Sequence, residues 1–380
     1  MKKIAMVLAL ALVIGLLPVT AQAEPSQLPV KSAVLIDAAT GTVLYEQNAH
    51  QPLAPASVTK VMTMLLIMEA IDDGRIRWED TVTASETAAA KGGNQVYLKV
   101  GETMSVTDMV KSIAVSSAND CACAMAEHLA GSEAAFVEAM NQQAAELGMA
   151  DTNFVNCTGL DDGEGADQHR TSAYDIALMS RELLVKHPKI KEFTTIWMDT
   201  IRNGAFGLSN TNKLVRFYPG ATGLKTGFTA SAGYCLSASA QREGMELIAV
   251  VMGAESSQDR FAACKQLLDF GFANFALITP QVQTGQVKVR LGTAATAEAV
   301  PAEDPRLLID RSQKGSVTTE VTLEESVTAP VSKGQRLGTL TVKAGDRVLT
   351  QIPMLAKRPV PRLRWGQMLW QVLRSISMAR

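Results

Sequence analysis

After Lys31 the chain presents two short apolar runs, Ala33-Val34-Leu35-Ile36 and Val43-Leu44-Tyr45, separated by the turn signal Ala39-Thr40-Gly41. This pattern predicts a β-hairpin. A helical period follows over residues 57–70 and stops at Asp72-Asp73-Gly74. Further helices are predicted over residues 106–115, 118–130, 133–147 and 174–184, with an Asp- and Gly-rich loop at 161–167. Three strands then come in quick succession, at 223–229, 233–240 and 246–253, the last two joined by Arg242-Glu243-Gly244. Residues 264–274 read as a helix that packs back on them. Strands at both ends with helices between predict an α+β fold: one antiparallel sheet flanked by helices, with a helical subdomain.

Past Leu277 the pattern changes. Residues 286–291, 317–323, 337–342 and 348–352 alternate apolar and polar positions, with turn signals between them and no helix of useful length. A small all-β domain over 278–356 is expected. Residues 357–380 differ again. Trp365, Leu369, Val372, Leu373 and Ile376 fall on one helical face, Arg362, Arg364 and Arg374 interrupt any apolar run, and no Asp or Glu follows Asp346. A basic helix carrying Trp365 and Trp370 suits the surface of an anionic membrane, although such a helix can also dock on its own protein.

The other end reads as a targeting segment, residues 1–23. Lys2 and Lys3 precede an apolar stretch over 4–19 that is broken by Gly15 and Pro18. Ala21-Gln22-Ala23 offers a small-x-small cleavage site before Glu24. The stretch is short for a membrane span. The expected mature chain, with its first domain over 24–277, therefore works outside the cytoplasmic membrane, in the periplasm or cell wall, held peripherally at the membrane's outer face.

Composition narrows the function. With 380 residues, 47% hydrophobic and 19% charged, the chain can bury a large core. A net charge of −2 gives no reason to expect a nucleic-acid partner. The five cysteines, Cys121, Cys123, Cys157, Cys235 and Cys264, are odd in number, so at least one has no partner within the chain. A small buried hydrophobe is the expected role for most of the five. His50, His128, His169 and His187 show no metal-ligand spacing, which excludes a zinc carboxypeptidase, and no metal or cofactor is expected.

Three short motifs carry candidate chemistry: Ser57-Val58-Thr59-Lys60, Ser117-Ala118-Asn119 and Lys225-Thr226-Gly227. Residues three apart share a helix face, so the Ser57 hydroxyl and the Lys60 amine can meet. At a helix start, Ser57 would face free N–H groups suited to a developing oxyanion. Lys60 can take the serine proton only when neutral, which needs burial and a nearby positive charge, with Lys225 the candidate for that charge. Ser117 and Asn119 point the same way only on extended backbone, and capping of the following helix is their bland alternative. Strand alternation puts Lys225 and Gly227 on one face, the glycine leaving room for a substrate backbone. Alternation does not explain how Thr226 would reach a ligand.

Together and in this order, the motifs are the set found in penicillin-binding proteins and class A β-lactamases. From about Val30 to Phe275 the chain resembles the low-molecular-mass penicillin-binding proteins of the D-alanyl-D-alanine carboxypeptidase family. The likeness rests on the residues flanking the three motifs, 54–60, 116–120 and 223–229, and on His169 before Thr171-Ser172-Ala173-Tyr174-Asp175. It continues into the β domain and the tail.

The resemblance implies a β-lactamase/transpeptidase-like fold and a serine peptidase that removes the terminal D-alanine of peptidoglycan peptide stems through an acyl-enzyme. It also implies covalent inhibition by β-lactam antibiotics. Ser57 is then the nucleophile, Lys60 its base and Ser117 a proton relay, with Asn119 and Lys225 as electrostatic supports. The N–H groups of Ser57 and Phe228 form the oxyanion hole, and Thr226 contacts the substrate carboxylate. Arg260 is a looser match for that carboxylate, and a surface arginine is nearly as good a reading. The rival readings are a D,D-endopeptidase or transpeptidase on the same site, a non-catalytic binding protein, and a serine β-lactamase. The last needs a loop glutamate, and the only local string, Glu138-Ala139-Met140-Asn141, lies in a helical run.

Overall fold

The computed structural model describes residues 23–163, 165–282 and 284–367. All of the expected leader except Ala23, and residues 368–380 of the tail, lie outside the described residues. Among the described residues no helix is long and apolar enough to cross a membrane. The chain divides into two compact units at Asn274/Phe275.

The first unit is built on an antiparallel sheet of β1 (Ser32–Asp37), β2 (Val43–Gln47), β3 (Ala221–Thr229), β4 (Gly233–Arg242) and β5 (Met245–Ala254). Its order is β2-β1-β5-β4-β3, so the first hairpin of the chain docks on a meander made late in the sequence. All ten residues of the central β5 are buried, as expected of a strand covered on both faces. Ile248, Val250 and Met252 join the main core. Leu247 points the other way, toward Gly271 of the last helix, where a Cβ would come within 2.5 Å of Leu247 Cδ1.

Six longer helices complete this unit: α1 (Lys60–Asp72), α2 (Val106–Ser116), α3 (Asn119–Ala130), α4 (Glu133–Glu146), α5 (Ala173–Lys186) and α6 (Ser257–Asn274). The side chains of Ser105, Ser132 and Ser172 accept N–H groups from the first turns of α2, α4 and α5, which fixes where those helices begin. Helix α1 has no polar face. It runs through the core against α2, α3 and α5, and only Glu69, Ile71 and Asp72 of its residues are not buried. Helix α6 starts seven residues before the predicted 264. Ser256 Oγ accepts the Asp259 N–H at 3.1 Å, a cap signal outweighed in the sequence by the polar residues that follow. The earlier start puts Arg260 on the first turn.

The second unit holds a six-stranded sheet of β6 (Gly285–Arg290), β7 (Thr296–Pro301), β8 (Val317–Leu323), β9 (Ser326–Thr328), β10 (Arg336–Ala344) and β11 (Arg347–Ala356), in the order β8-β10-β11-β7-β6-β9. Val287, Ala299, Leu337, Leu340, Ile352 and Met354 lie in its core. Strands β7 and β9 were not predicted, because Ala, Glu, Pro and a three-residue run give little strand signal. Phe275–Ile278 pairs separately with Leu307–Asp310. The start of the tail needs correction: residues 357–363 are stitched into this unit. The Lys357 N–H donates to the Glu298 carbonyl at 3.0 Å, Val360 bridges Val331, and the Leu363 N–H donates to the Leu291 carbonyl at 2.8 Å.

Candidate active site

Ser57 sits on a 3₁₀ turn, Ala56–Thr59, that feeds directly into α1. Entering the turn forces Ala56 to φ 48°, a conformation an alanine adopts only when its surroundings hold it. Thr59 Oγ1 donates to the Ala56 carbonyl at 2.8 Å and lies 2.8 Å from His169 Nε2. The Val155 N–H donates to His169 Nδ1 at 3.0 Å, so the ring proton is on Nε2 and points at Thr59. Burial, then the charges of Arg170 and Lys60, lower His169 to about 4 and keep it neutral. Gly159 closes the support, since any Cβ there would run into the Ala56 carbonyl and Thr59 Oγ1.

Lys60 opens α1 and is fully buried. Its Nζ donates to the Thr158 carbonyl at 2.8 Å and lies 2.9 Å from Ser57 Oγ. Burial lowers its pKa to about 7, against weaker opposing effects of Cys157 and Asp120. Burial and the charge of Lys225 were both expected to act; burial on a helix without a polar face is the lowering cause, and Lys225 is not among the causes. Lys225 is itself pushed well below the lysine range by burial, then by Lys60 and Arg260, and its Nζ donates to the Thr226 carbonyl at 2.8 Å.

Ser117 and Asn119 occupy the junction of α2 and α3. The extended backbone on which the two would point the same way is absent: Ser117 is left-handed, at φ 63° and ψ 32°. Neither side chain caps α3. Asn119 Nδ2 donates to the Gly92 carbonyl at 2.7 Å, and the junction is fixed from below by Asp120, whose carboxylate accepts the N–H groups of Val96, Leu98 and Cys121.

Strand β3 forms the opposite wall. The space left by Gly227, expected to admit a substrate backbone, faces the nucleophile turn instead: a Cβ there would lie 2.6 Å from the Pro55 carbonyl and 3.1 Å from Ser57 N. The glycine lets the strand seat on the nucleophile turn. Phe228 is half exposed, with its ring 4.3 Å from that of Tyr234. Arg260 is buried, donating from Nη1 to the Gly227 carbonyl at 2.9 Å, which rules out the surface-arginine reading.

These elements enclose a cleft of about 220 Å³. Ser57, Ser117, Asn119, Thr226, Gly227, Phe228 and Arg260 all line it, while Lys60 and Lys225 lie behind the wall. Among the described residues, four buried side-chain atoms have no hydrogen-bond partner, and Ser117 Oγ, Asn119 Oδ1 and Arg260 Nε are three of them. Orphaned polar atoms are costly, and their gathering in one cleft marks a place where a polar ligand completes the bonding. A larger hollow of about 650 Å³ beside Glu46–Gln51 holds none of the motifs.

Sequence reasoning missed part of the lining: Gly93, Asn94, Gly159, Leu160, Thr211 and Thr229. The Gly92-Gly93-Asn94 turn was the available signal, since a Cβ on Gly93 would come within 2.7 Å of Asn119 Nδ2. Glu138 is exposed on α4, and its neighbour Asn141 is spent on the backbone of Phe154, so the Glu138–Asn141 string is a coincidence. All five cysteines are buried and unpaired.

Comparison with known proteins identifies the family. The D-alanyl-D-alanine carboxypeptidase family matches residues 19–256, and the penicillin-binding protein 5 C-terminal domain matches residues 272–362. The chain is 44% identical over 339 residues to the D-alanyl-D-alanine carboxypeptidase DacF of Bacillus subtilis, covering 87% of this chain and 86% of that one. Penicillin-binding protein 5 from Haemophilus influenzae superposes with a TM-score of 0.77 at 29% identity, over 90% of this chain and all of that one. Penicillin-binding protein D2 from Listeria monocytogenes, in an ampicillin-bound form, superposes at 0.59 with 34% identity over 66% of this chain and all of that one. The chain belongs to the D-alanyl-D-alanine carboxypeptidase family and is a serine peptidase of the penicillin-binding type.

Proposed function

We propose that Ser57 attacks the carbonyl carbon of the penultimate D-alanine of a peptidoglycan stem, passing its proton to Lys60. The observation that carries this reading is the buried Lys60 amine, lowered to about 7 and 2.9 Å from the Oγ of Ser57, which lines the cleft. The N–H groups of Ser57 and Phe228 hold the oxyanion, which the seating of Gly227 on the turn supports. As the C–N bond breaks, the proton reaches the departing amine of the terminal D-alanine through Ser117, whose Oγ has no other partner. Asn119 Oδ1 accepts an N–H of the peptide, and Lys225, donating from Nζ to the Thr226 carbonyl, steadies the wall from behind. Thr226 and Arg260 take the terminal carboxylate. No acidic side chain lines the cleft among the described residues, which suits an anionic end group. Water then hydrolyses the Ser57 ester.

A penicillin enters the same path and opens on Ser57. Without a glutamate in the cleft to activate water, its adduct should long outlast a peptide turnover, which separates this enzyme from a serine β-lactamase. Intact-protein mass spectrometry tests the assignment. Benzylpenicillin should add one persistent adduct to the wild-type chain and none to Ser57→Ala, which should also release no D-alanine from a peptide ending in D-Ala-D-Ala. An adduct on the variant, or rapid penicillin turnover without D-alanine release, would sink the reading.

The enzyme's place of work is also a proposal. A cleaved leader ending at Ala23 and a basic amphipathic tail together put it on the outer face of the cytoplasmic membrane. Trp365 supports this, being 88% exposed near the end of the described residues.

A further inference from the structure

Thr211 belongs to none of the three motifs, yet it stands in the cleft wall with its Oγ1 2.6 Å from Thr226 Oγ1. The loop that carries it is held on both sides. Asn210 and Asn212 are buried, at 6% and 1% exposure. Asn210 Nδ2 donates to the carbonyls of Thr194 and Ile196, at 3.2 and 2.7 Å. Asn212 Nδ2 donates to the Gly223 carbonyl of β3 at 2.8 Å. The Thr211 N–H donates to the Val115 carbonyl of α2 at 3.2 Å. Thr211 is thus fixed relative to both walls of the cleft.

Proton counting then sets the direction of the hydroxyl contact. Each threonine hydroxyl has one hydrogen, and a carboxylate only accepts. When a carboxylate sits on Thr226, the Thr226 hydrogen goes to it. The hydrogen in the 2.6 Å contact must then come from Thr211. We propose that Thr211 is a positioning residue that donates to Thr226 Oγ1, orienting the Thr226 hydroxyl toward the terminal carboxylate of the peptide or penicillin. This rests on the reading of Thr226 given above.

The test compares second-order acylation rates with benzylpenicillin and with its methyl ester, which lacks the charge. Thr211→Val should lower the rate with the acid about tenfold and that with the ester by less than about twofold, the scale of one lost charge-assisted hydrogen bond. Thr211→Ser should restore the acid rate. Thr211→Ala provides the same comparison should the valine fail to fold. Loss of equal size with both compounds, or none with either, overturns the proposal. Thr226→Val separates the two layers. If it leaves the acid-to-ester ratio unchanged, the carboxylate reading itself fails, and the role of Thr211 with it. If it collapses the ratio while Thr211→Val does not, only Thr211 is refuted.

Discussion

A lysine amine takes a proton from serine only when neutral, and burial on α1 brings Lys60 to about 7. The sign follows directly: lower pH protonates Lys60 and removes the base. Penicillin acylation should therefore rise about tenfold per pH unit below pH 7 and level off above it. A profile flat through neutrality would remove Lys60 from this role. Lys60→Arg should lose acylation by about a thousandfold, because guanidinium keeps its proton. The identity of these residues was legible because motif spacing translates into shared faces on a helix or strand. Their environment was not. Nothing in Ser57-Val58-Thr59-Lys60 reveals that α1 lacks a polar face, so Lys225 was expected to share in an effect that burial produces without it. His169 was visible only through resemblance, since its bond to Thr59 joins segments 110 residues apart.

Elements meet here through backbone, and side-chain periodicity is silent about that. Seating β3 on the Ser57 turn depends on the missing Cβ of Gly227, whose nearest neighbours would be the Pro55 carbonyl and Ser57 N. Gly227→Ala must push the strand and the turn apart, while Lys60 stays on α1. Displacement of about 1 Å at a reacting centre costs about a hundredfold. Penicillin acylation by Gly227→Ala should fall by about that factor, and a wild-type rate would show that strand and turn are not in register. Periodicity located the hairpin, α2–α5 and the meander to within a few residues. It did not find the Gly93, Gly159 and Thr211 segments of the wall, because loops carry no period and their contacts are non-local. The left-handed Ser117 escaped for a related reason: a serine gives no warning of positive φ.

Across the whole chain, the motifs and the proposed anchor fall in different stretches of sequence. The three motifs precede Asn274, whereas Arg364, Trp365, Arg374 and Arg380 follow Leu363, whose bond to the Leu291 carbonyl is the last such tie to the second unit's strands among the described residues. Deleting residues 365–380 should leave hydrolysis of a soluble peptide almost unchanged and should abolish co-sedimentation with anionic vesicles. Each Lys or Arg near such a surface contributes about 1 kcal/mol, and burying the tryptophan-bearing face adds a part that salt does not screen. Equal sedimentation of truncated and full-length protein would locate the tail on the protein instead. The five unpaired thiols have a consequence of another kind. Cys121 and Cys123 lie on α3, Cys157 beside the Thr158 carbonyl that anchors Lys60, Cys235 on β4 and Cys264 on α6, all shut away from solvent. Burial also raises Cys121, Cys235 and Cys264 above the ordinary thiol range, so little thiolate forms even if water reaches them. An alkylating reagent can act only after the surrounding element opens, and the order in which these sulfurs react is a built-in record of which parts of the first unit loosen first.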